Sequence, residues 1–470
     1  MMVRAWWVVG LLGVAAVAVA CGGSSAQPDT RPAVVQGPSA SEPAVPEVEE
    51  EDAPLVEAEK ELDEDIASSQ ADAPAPVDEP VDPPEIEVSD FLFLPPDATE
   101  TAAGDVIVRN EVDPRTRPRW GTNWAMAIIG FDELDFTGAP RDGVKPLDTP
   151  FFTTVAAADL IYRADSPVIR FERNGDVRAY PLDIMVWHEI VNDVVGGEPV
   201  VVTFCPLCNM AIAFDARVGG QVLRMGTSGA LRNSDLVMWD DATESLWQQI
   251  GGKALIGGYV GARLEPLPAT IVSWDQFKAS AADGLVLSRE TGFTRNYGQT
   301  PYAGYDSVDR PPDLFRGELD ARLSPFERVV TVEFQSGPVA YPFVLLEQVR
   351  VVEESRDGSE IVVFWTPGAR SALDRFFIDN ARQVGATGVF SRIVEGESLN
   401  FAVNPDDEDT FLDSVTGSVW NVFGEAVNGP LAGVRLDPIL HVDHFWFSWV
   451  VFQPETEIVL EAGSPLAAPS

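Results

Sequence analysis

Short hydrophobic runs, each bounded by turn residues, recur along most of the chain after residue 150. Val168–Glu172, Val200–Phe204 and Ile361–Trp365 are rich in β-branched and aromatic residues, which is typical of strands. Glycine pairs such as Gly196-Gly197 lie between neighbouring runs and favour tight hairpin turns. The pattern predicts a mainly β fold of the β-rich α+β class.

Two segments depart from the strand pattern and predict short helices. Leu182–His188 follows Pro181, whose fixed backbone angle suits the start of a helix. Ser371–Asn380 is the second such segment. Few helices are therefore expected beside the strands.

The hydrophobic pattern occurs twice. VIRFERNGDVRAYP at 168–181 resembles VVTVEFQSGPVAYP at 329–342, and further matches follow in the same order. The matched aromatic residues are Tyr180 with Tyr341, Trp247 with Trp420 and Trp274 with Trp449. We predict two tandem copies of one domain, 150–308 and 325–465, packed about a pseudo-two-fold axis after a lead-in segment at 105–149. The second copy is degenerate, because it lacks the cysteines and histidine of the first.

The N-terminus has the features of an export signal. Arg4 precedes an apolar run from Ala5 to Ala20, which is shorter than the about 20 residues that a membrane span needs. The run ends in small residues before Cys21. We predict a lipoprotein-type signal peptide at 1–21, with Cys21 lipidated as the mature N-terminus. Ordinary cleavage after Ala20 is the alternative.

Residues 22–104 differ in composition from everything that follows. They hold 22 acidic residues, 2 basic residues and 13 of the chain's 37 prolines. Such a segment buries too little apolar surface to offset its ordering entropy, so we predict a disordered acidic tether. The whole chain has a formal charge of −42, which opposes binding to nucleic acid. Three cysteines are too few for a disulfide-built scaffold.

The candidate chemistry lies in the first copy, at Cys205-Pro-Leu-Cys208. Three interpretations of this pair remain open. The first is a thiol–disulfide redox pair, although the sequence after Cys208 alternates like a strand rather than starting a helix. The second is a soft-metal site for zinc or copper, with His188 as the third ligand. The third is a structural disulfide formed after export.

Other residues are predicted to complete or surround this centre. Further candidate ligands are His441, His444 and Met210, and a carboxylate near His188 would fix its tautomer. The residues expected to surround the centre are Glu189, Asn192, Asp193 and Asp235. We predict that His188 lies beside the cysteine pair and that His441 and His444 face the same cleft from the second copy.

Three segments resemble the bacterial domain-of-unknown-function 3179 family. They are RAYPLDIMVWHEIVNDVVGGEPVVVTFCPLCNMAIAFD (178–215), SGALRNSDLVMWDDATESLWQQIGGKALIG (228–257) and TGFTRNYGQTPYAGY (291–305). RDGVKPLDTPFF (141–152) is also similar, so that the resemblance covers most of 141–308. It implies that the cysteine pair, His188, Glu189, Asn192, Asp193 and Asp235 occupy family motif positions, but it implies no established activity.

Together these observations predict an extracytoplasmic lipoprotein, anchored by lipid to the cell membrane or outer membrane. Its Cys-x-x-Cys/His centre would bind zinc or copper or perform thiol redox chemistry. The alternative is a non-catalytic envelope binding or scaffold lipoprotein whose cysteines form a structural disulfide. The expected partner is the membrane, through the anchor. Nucleic acid is not expected as a partner, and no protein partner is indicated.

Overall fold

The computed structural model describes residues 104–108, 120–307 and 311–461, together with the backbone of 464–466. The predicted signal peptide with Cys21, and the predicted tether up to residue 103, lie outside the described residues. Strands dominate the described part, which confirms a mainly β fold. None of the helices in these ranges is long and apolar enough to cross a membrane.

The first half of the described chain contains sixteen strands and three α-helices. The strands are β1 (Asp135–Phe136), β2 (Phe152–Thr154), β3 (Pro167–Arg173), β4 (Asp176–Pro181), β5 (Ile190–Val195), β6 (Glu198–Cys205), β7 (Met210–Asp215), β8 (Arg217–Val218), β9 (Gln221–Val222), β10 (Met225–Arg232), β11 (Asp235–Asp240), β12 (Leu246–Gln248), β13 (Ala254–Ile256), β14 (Pro266–Leu267), β15 (Ala269–Ser273) and β16 (Leu285–Leu287). The helices are α1 (Val155–Ala158), α2 (Leu182–His188) and α3 (Trp274–Ser280), with 3-10 turns at Phe131–Glu133, Ile250–Gly252 and Tyr305–Ser307.

Three sheets and a small ribbon organise this half. Their strand orders are β15-β3-β4-β16-β2, β14-β7-β6-β5 and β1-β10-β11-β12-β13, and β8 pairs with β9. One core contains residues of the first two sheets and of α2, including the fully buried Ile169, Tyr180, Met185 and Val202. Alternating side chains of a strand point to opposite faces, which is why these apolar positions share one side.

The second half continues the numbering. Its strands are β17 (Arg328–Phe334), β18 (Gly337–Pro342), β19 (Val351–Arg356), β20 (Ser359–Thr366), β21 (Ala386–Ser391), β22 (Ile393–Val394), β23 (Glu397–Ser398), β24 (Phe401–Val403), β25 (Phe411–Asp413), β26 (Val419–Trp420), β27 (Ala426–Asn428), β28 (His441–Phe445), β29 (Glu457–Glu461) and β30 (Ser464–Leu466). Its helices are α4 (Phe343–Val349) and α5 (Trp446–Val450), with a 3-10 turn at Ile378–Asn380.

The strand orders of the second half parallel those of the first. They are β28-β17-β18-β29-β30, β19-β20-β21 and β24-β25-β26-β27, with β22 paired to β23. In both halves a hairpin and a seven-residue helix precede a second sheet, since β3-β4-α2 corresponds to β17-β18-α4. The parallel pairing of β16 with β4 also has a counterpart, in the pairing of β29 with β18.

Matching side-chain contacts occur at matching positions. The indole of Trp247 donates to Asp240 Oδ2 at 2.8 Å, and that of Trp420 donates to Asp413 Oδ2 at 2.9 Å. Tyr180 donates to Asp193 Oδ2 at 2.6 Å, and Tyr341 donates to Glu354 in the same way. Buried indole and phenol donors need acceptors, and each half supplies them at the same point of the fold.

One tryptophan pairing expected from sequence is wrong. β15 pairs with β3 so that Ser273 lies opposite Pro167, and β28 pairs with β17 so that Phe445 lies opposite Arg328. Trp274 and Trp446 therefore each follow the last residue of the corresponding strand, and both are fully buried. The position of Trp274 corresponds to Trp446 and not to Trp449. The strand register aligns every residue of the paired strands, whereas matching isolated aromatic residues in the sequence does not.

The two helix predictions have different outcomes. Leu182–His188 forms α2, which begins after Pro181 and is terminated by the following residue Glu189, whose φ of 58° is left-handed. The prediction for Ser371–Asn380 is wrong apart from the 3-10 turn at its end. Its backbone is held by other loops, since Ser371 N donates to Arg382 O and Ile378 N donates to Gly298 O. Long-range hydrogen bonds override the local preference there.

Candidate functional site

The cysteine pair lies in the turn between β6 and β7. β6 ends at Cys205, and Cys208 N donates back to Cys205 O at 3.2 Å. Asn209 closes the turn with a φ of 53°, a left-handed conformation that asparagine adopts more readily than most residues. This tight turn presents both cysteines to the same neighbouring hairpin.

That neighbour is the turn between β10 and β11. Its two central residues, Asn233 and Ser234, have φ values of 49° and 69°, as a two-residue hairpin with the natural strand twist requires. Both thiols lie 3.6 Å from Ser234 O, which accepts from them. Cys208 Sγ also lies 3.7 Å from Asp235 Oδ1. Two hairpins distant in sequence thus meet at the sulfurs.

Cys205, Cys208 and Asp235 form a group whose candidate ligand atoms all lie within 4.8 Å of one another. No other trio of such residues in the described ranges meets this criterion. All three side chains are buried, and both cysteines are free thiols. Asp235 was expected only to surround the centre, but its carboxylate contacts Cys208 directly.

Burial dominates the electrostatics of this group. It raises the pKa of Asp235 to about 7, against the weaker opposing effect of donation from Ile250 N at 3.1 Å. Burial also raises the pKa of the Cys208 thiol, and nearby Cys205 and Asp235 raise it further. Two thiols and a carboxyl group buried together disfavour each other's charged forms. A cation among them would remove that penalty.

His188 is held by partners outside this group. Its Nδ1 lies 2.6 Å from Lys145 O, and its Nε2 lies 2.7 Å from Tyr297 Oη. A carbonyl oxygen can only accept, so Nδ1 carries the proton and Nε2 accepts from the phenol. The ring is fully buried, which lowers its pKa. The structure therefore does not bring His188 into the ligand group of the cysteines.

The two histidines of the second half lie on β28. His444 is fully buried and stacks on Trp449. Its Nδ1 donates to Phe445 O at 3.0 Å, so its Nε2 accepts from Thr331 Oγ1 at 2.8 Å. Burial lowers the pKa of His444 to about 4. His441 Nδ1 lies 2.7 Å from Ile439 O. β28 does reach the cysteine loop, but through its backbone, since Phe445 N donates to Cys208 O at 2.9 Å.

The other predicted residues have structural contacts. Asn192 joins β5 to β10 through Met225 O at 2.9 Å, and Asp193 accepts from Arg178 Nη1 at 2.8 Å. Met210 lies opposite Cys205 in the β6–β7 pair and is buried in the same apolar cluster as both cysteines. These contacts place Met210 near the sulfurs without assigning it a ligand role.

Sequence reasoning missed two tyrosines beside the cysteines. Tyr302 donates to Glu189 Oε1 at 2.9 Å, and burial raises the pKa of that carboxyl to about 7. Burial raises the pKa of Tyr302 most, and Glu189 raises it next. A negative charge on Cys205 raises it further. Charge on either cysteine acts similarly on Tyr305. Both tyrosines belong to the segment 291–305, whose family resemblance was the available signal.

Comparison with known proteins gave one match. No curated protein and no solved structure matched the chain. A family described as "Protein of unknown function (DUF3179)" matches residues 141–456. This match covers the first half, where the resemblance is strongest, and also the second half, where it is weaker, and it includes the cysteine turn, the β10–β11 hairpin and β28. The chain belongs to the DUF3179 family.

Proposed function

We propose that Cys205, Cys208 and Asp235 bind one metal ion, zinc or copper(I). The convergence of three buried ligand atoms from two hairpins supports this proposal most directly. Two thiolates and a carboxylate carry three negative charges, which a dry interior tolerates only with a compensating cation. Three protein ligands also leave one position of a tetrahedral ion free.

The ligand types favour zinc over copper(I). Thiolates suit both ions, whereas a carboxylate oxygen is a regular zinc ligand and a poor match for soft copper(I). Met210 lies near the sulfurs and would favour copper if its thioether replaced Asp235 as a ligand. The contact between Cys208 and Asp235 therefore makes zinc the first choice.

Two other uses of the cysteine pair are less well supported. Thiol–disulfide exchange needs an accessible sulfur with a lowered pKa, but Cys205 and Cys208 are buried and burial raises the pKa of Cys208. A structural disulfide in an envelope scaffold protein is the second candidate function. The proximity of the two sulfurs to the same carbonyl oxygen favours it.

Metal analysis combined with thiol titration of the purified full chain tests these alternatives. We expect about one zinc per chain and two thiols that react only after a chelator is added. Cys208→Ser and Asp235→Asn should each lower the zinc content. Asp443→Asn is the matched control, because burial raises the pKa of Asp443 to about 7 as well but its hydroxyl partner is Thr387.

The same experiment identifies the outcome that contradicts the proposal. A chain without metal, whose two buried sulfurs react only after reduction, would establish the disulfide instead. Zinc affinity should also increase as the pH rises through about 7, because Asp235 must lose its proton to bind and burial raises its pKa to about 7.

We also infer that the protein is lipid-anchored outside the cytoplasm. The apolar run before Cys21 and the acidic segment after it support this inference. The protein should partition into the detergent phase, and Cys21→Ser should release it or block its maturation. A mature protein that begins at an unmodified Cys21 would contradict the anchor.

We further infer that the two halves are copies of one domain related by a pseudo-two-fold axis. Contacts in both directions between the halves support this. The backbone N of Phe445, at the end of β28, donates to Cys208 O in the loop after β6, and the side chain of Gln276, in the helix α3 that follows β15, donates to Thr366 Oγ1 at the end of β20 at 2.7 Å. In an experimental structure, superposing the halves should align Tyr180 with Tyr341 and Trp247 with Trp420. Unrelated strand directions after superposition would overturn the inference.

A further inference from the structure

A cavity of about 540 Å³ opens between the end of α2 and the segment 294–302. This volume is within the range of small-molecule sites. Its lining residues are Gly143, Val144, Val186, Trp187, Thr294, Arg295, Asn296, Pro301 and Tyr302. The cavity is separate from the cysteine, cysteine and aspartate group, none of whose residues lines it.

The lining carries a positive charge and no negative one. Arg295 is the only charged lining residue, in a chain with 74 acidic residues. Its Nη1 donates to the backbone carbonyl of the adjacent Thr294 at 2.9 Å, and no carboxylate in the described ranges pairs with it. A guanidinium presents a planar set of donors that fits a carboxylate. The cavity therefore offers one set of cationic donors to a small anion.

The remaining walls are aromatic and apolar. The indole of Trp187 is fixed by donation to Gln299 O at 3.0 Å, and the phenol of Tyr302 is fixed by donation to Glu189 Oε1 at 2.9 Å. Val144 and Val186 add aliphatic surface. Aromatic rings held in place offer a large contact area at a low entropy cost, so they fit a ligand with a flat apolar body.

We propose that this cavity binds a small aromatic carboxylate. The carboxylate pairs with Arg295, and the ring packs against Trp187 and Tyr302. The proposal goes beyond metal binding and does not depend on it. Tyr302 nevertheless packs against the same hydrophobic cluster as Leu207, which lies between the two cysteines in the β6–β7 turn.

Calorimetric titration of the full chain tests the proposal. The probes are benzoate, 4-hydroxybenzoate and indole-3-acetate, with neutral benzamide as the reference. We expect at least one of the three carboxylates to bind, and benzamide to bind much more weakly than benzoate. Arg295→Gln should weaken carboxylate binding by about tenfold to a hundredfold, which is the loss of a charge-assisted hydrogen bond.

Three controls make the result interpretable. Arg263→Gln removes an exposed guanidinium that lines a different cavity and should leave carboxylate affinity unchanged. Arg295→Lys keeps the charge and should retain part of the affinity. Cys208→Ser should bind the carboxylate even if it loses metal, so failure of the metal proposal and failure of this one are distinguishable. Absence of binding by all three carboxylates, or equal affinity in Arg295→Gln, would overturn the proposal.

Discussion

Three buried carboxyl groups have a pKa of about 7 because of desolvation. They are Glu189, Asp235 and Asp443. A carboxyl whose pKa is raised on folding holds a proton in the folded state that the unfolded chain has already released. Such a group stabilises the fold least at high pH. Its contribution declines as the pH rises from about 4 to about 7.

Asp443→Asn tests this linkage at a residue that is not one of the proposed metal ligands. The amide keeps an oxygen for Thr387 Oγ1, which donates to Asp443 Oδ1 at 2.7 Å, but it does not titrate. The free energy of unfolding of the variant, minus that of the wild type, should therefore increase as the pH rises from 4 to 8. The expected gain is on the order of 3–4 kcal/mol, since each pKa unit corresponds to about 1.4 kcal/mol.

Urea unfolding at several pH values, with a chelator present, measures this difference. Asp283→Asn is the control, because Asp283 is exposed on the loop before β16. If the difference between Asp443→Asn and the wild type stays constant with pH, Asp443 does not carry the raised pKa.

At the scale of elements, β21 passes unusually close to the turn after β26. Gly388 in β21 pairs with Phe364 of β20. A Cβ added at Gly388 would lie 2.2 Å from the carbonyl oxygen of Val422, which is backbone and has no rotamer to adopt. Two sheets of the second half can approach this closely only with glycine at that position.

Gly388→Ala should therefore force these sheets apart. We expect a loss of about 1–3 kcal/mol in the free energy of unfolding, as for other overpacked cores. Gly121→Ala is the control, because its nearest neighbour would be a side-chain oxygen of Glu244 at 3.4 Å. Urea unfolding followed by tryptophan fluorescence measures both variants. An unchanged midpoint for Gly388→Ala would contradict this prediction, because it would show that the turn after β26 can move away from the added Cβ at little cost in free energy.

At the scale of the whole molecule, a buried ion pair joins three distant segments. Arg328 in β17 donates to Asp306 Oδ2 at 2.8 Å, and Ser371 donates to the same oxygen at 2.6 Å. Arg382 pairs with Asp306 from the loop between β20 and β21. Asp306, at the end of the first half, is therefore bonded to β17, the first strand of the second half, and to the loop between β20 and β21.

Asp306→Asn should destabilise the protein by about 3–5 kcal/mol, because it leaves the guanidinium of Arg328 buried without a counter-charge. Arg328→Met should have a smaller effect, since Asp306 retains Arg382 and Ser371. The double variant should lose less than the sum of the two single variants, as urea unfolding in a double-mutant cycle would measure. The exposed pair of Lys278 and Asp275 serves as a control that should show little coupling. Strict additivity at Arg328 and Asp306 would contradict the proposed role of the pair.

Local patterns alone determined much of this protein's architecture. Short β-branched runs predict the strands, and the sequence predicts a helix at Leu182–His188 because its boundaries are set by adjacent residues such as Pro181. The cysteine pair was also visible, since its spacing is a property of four consecutive positions. These features depend on neighbours in sequence, and for this reason they can be read without a structure.

The composition of the site was decided by tertiary structure. Asp235 reaches Cys208 only because two hairpins meet, whereas His188, predicted as the third ligand, has its two ring nitrogens bonded to Lys145 and Tyr297. The cavity at Arg295 likewise forms from three segments that are separate in sequence, at 143–144, 186–187 and 294–302. Contacts of this kind depend on how sheets pack and pair, and one sequence carries no local signal for them. The sequence specified which chemical groups were available, and packing determined which of them came together.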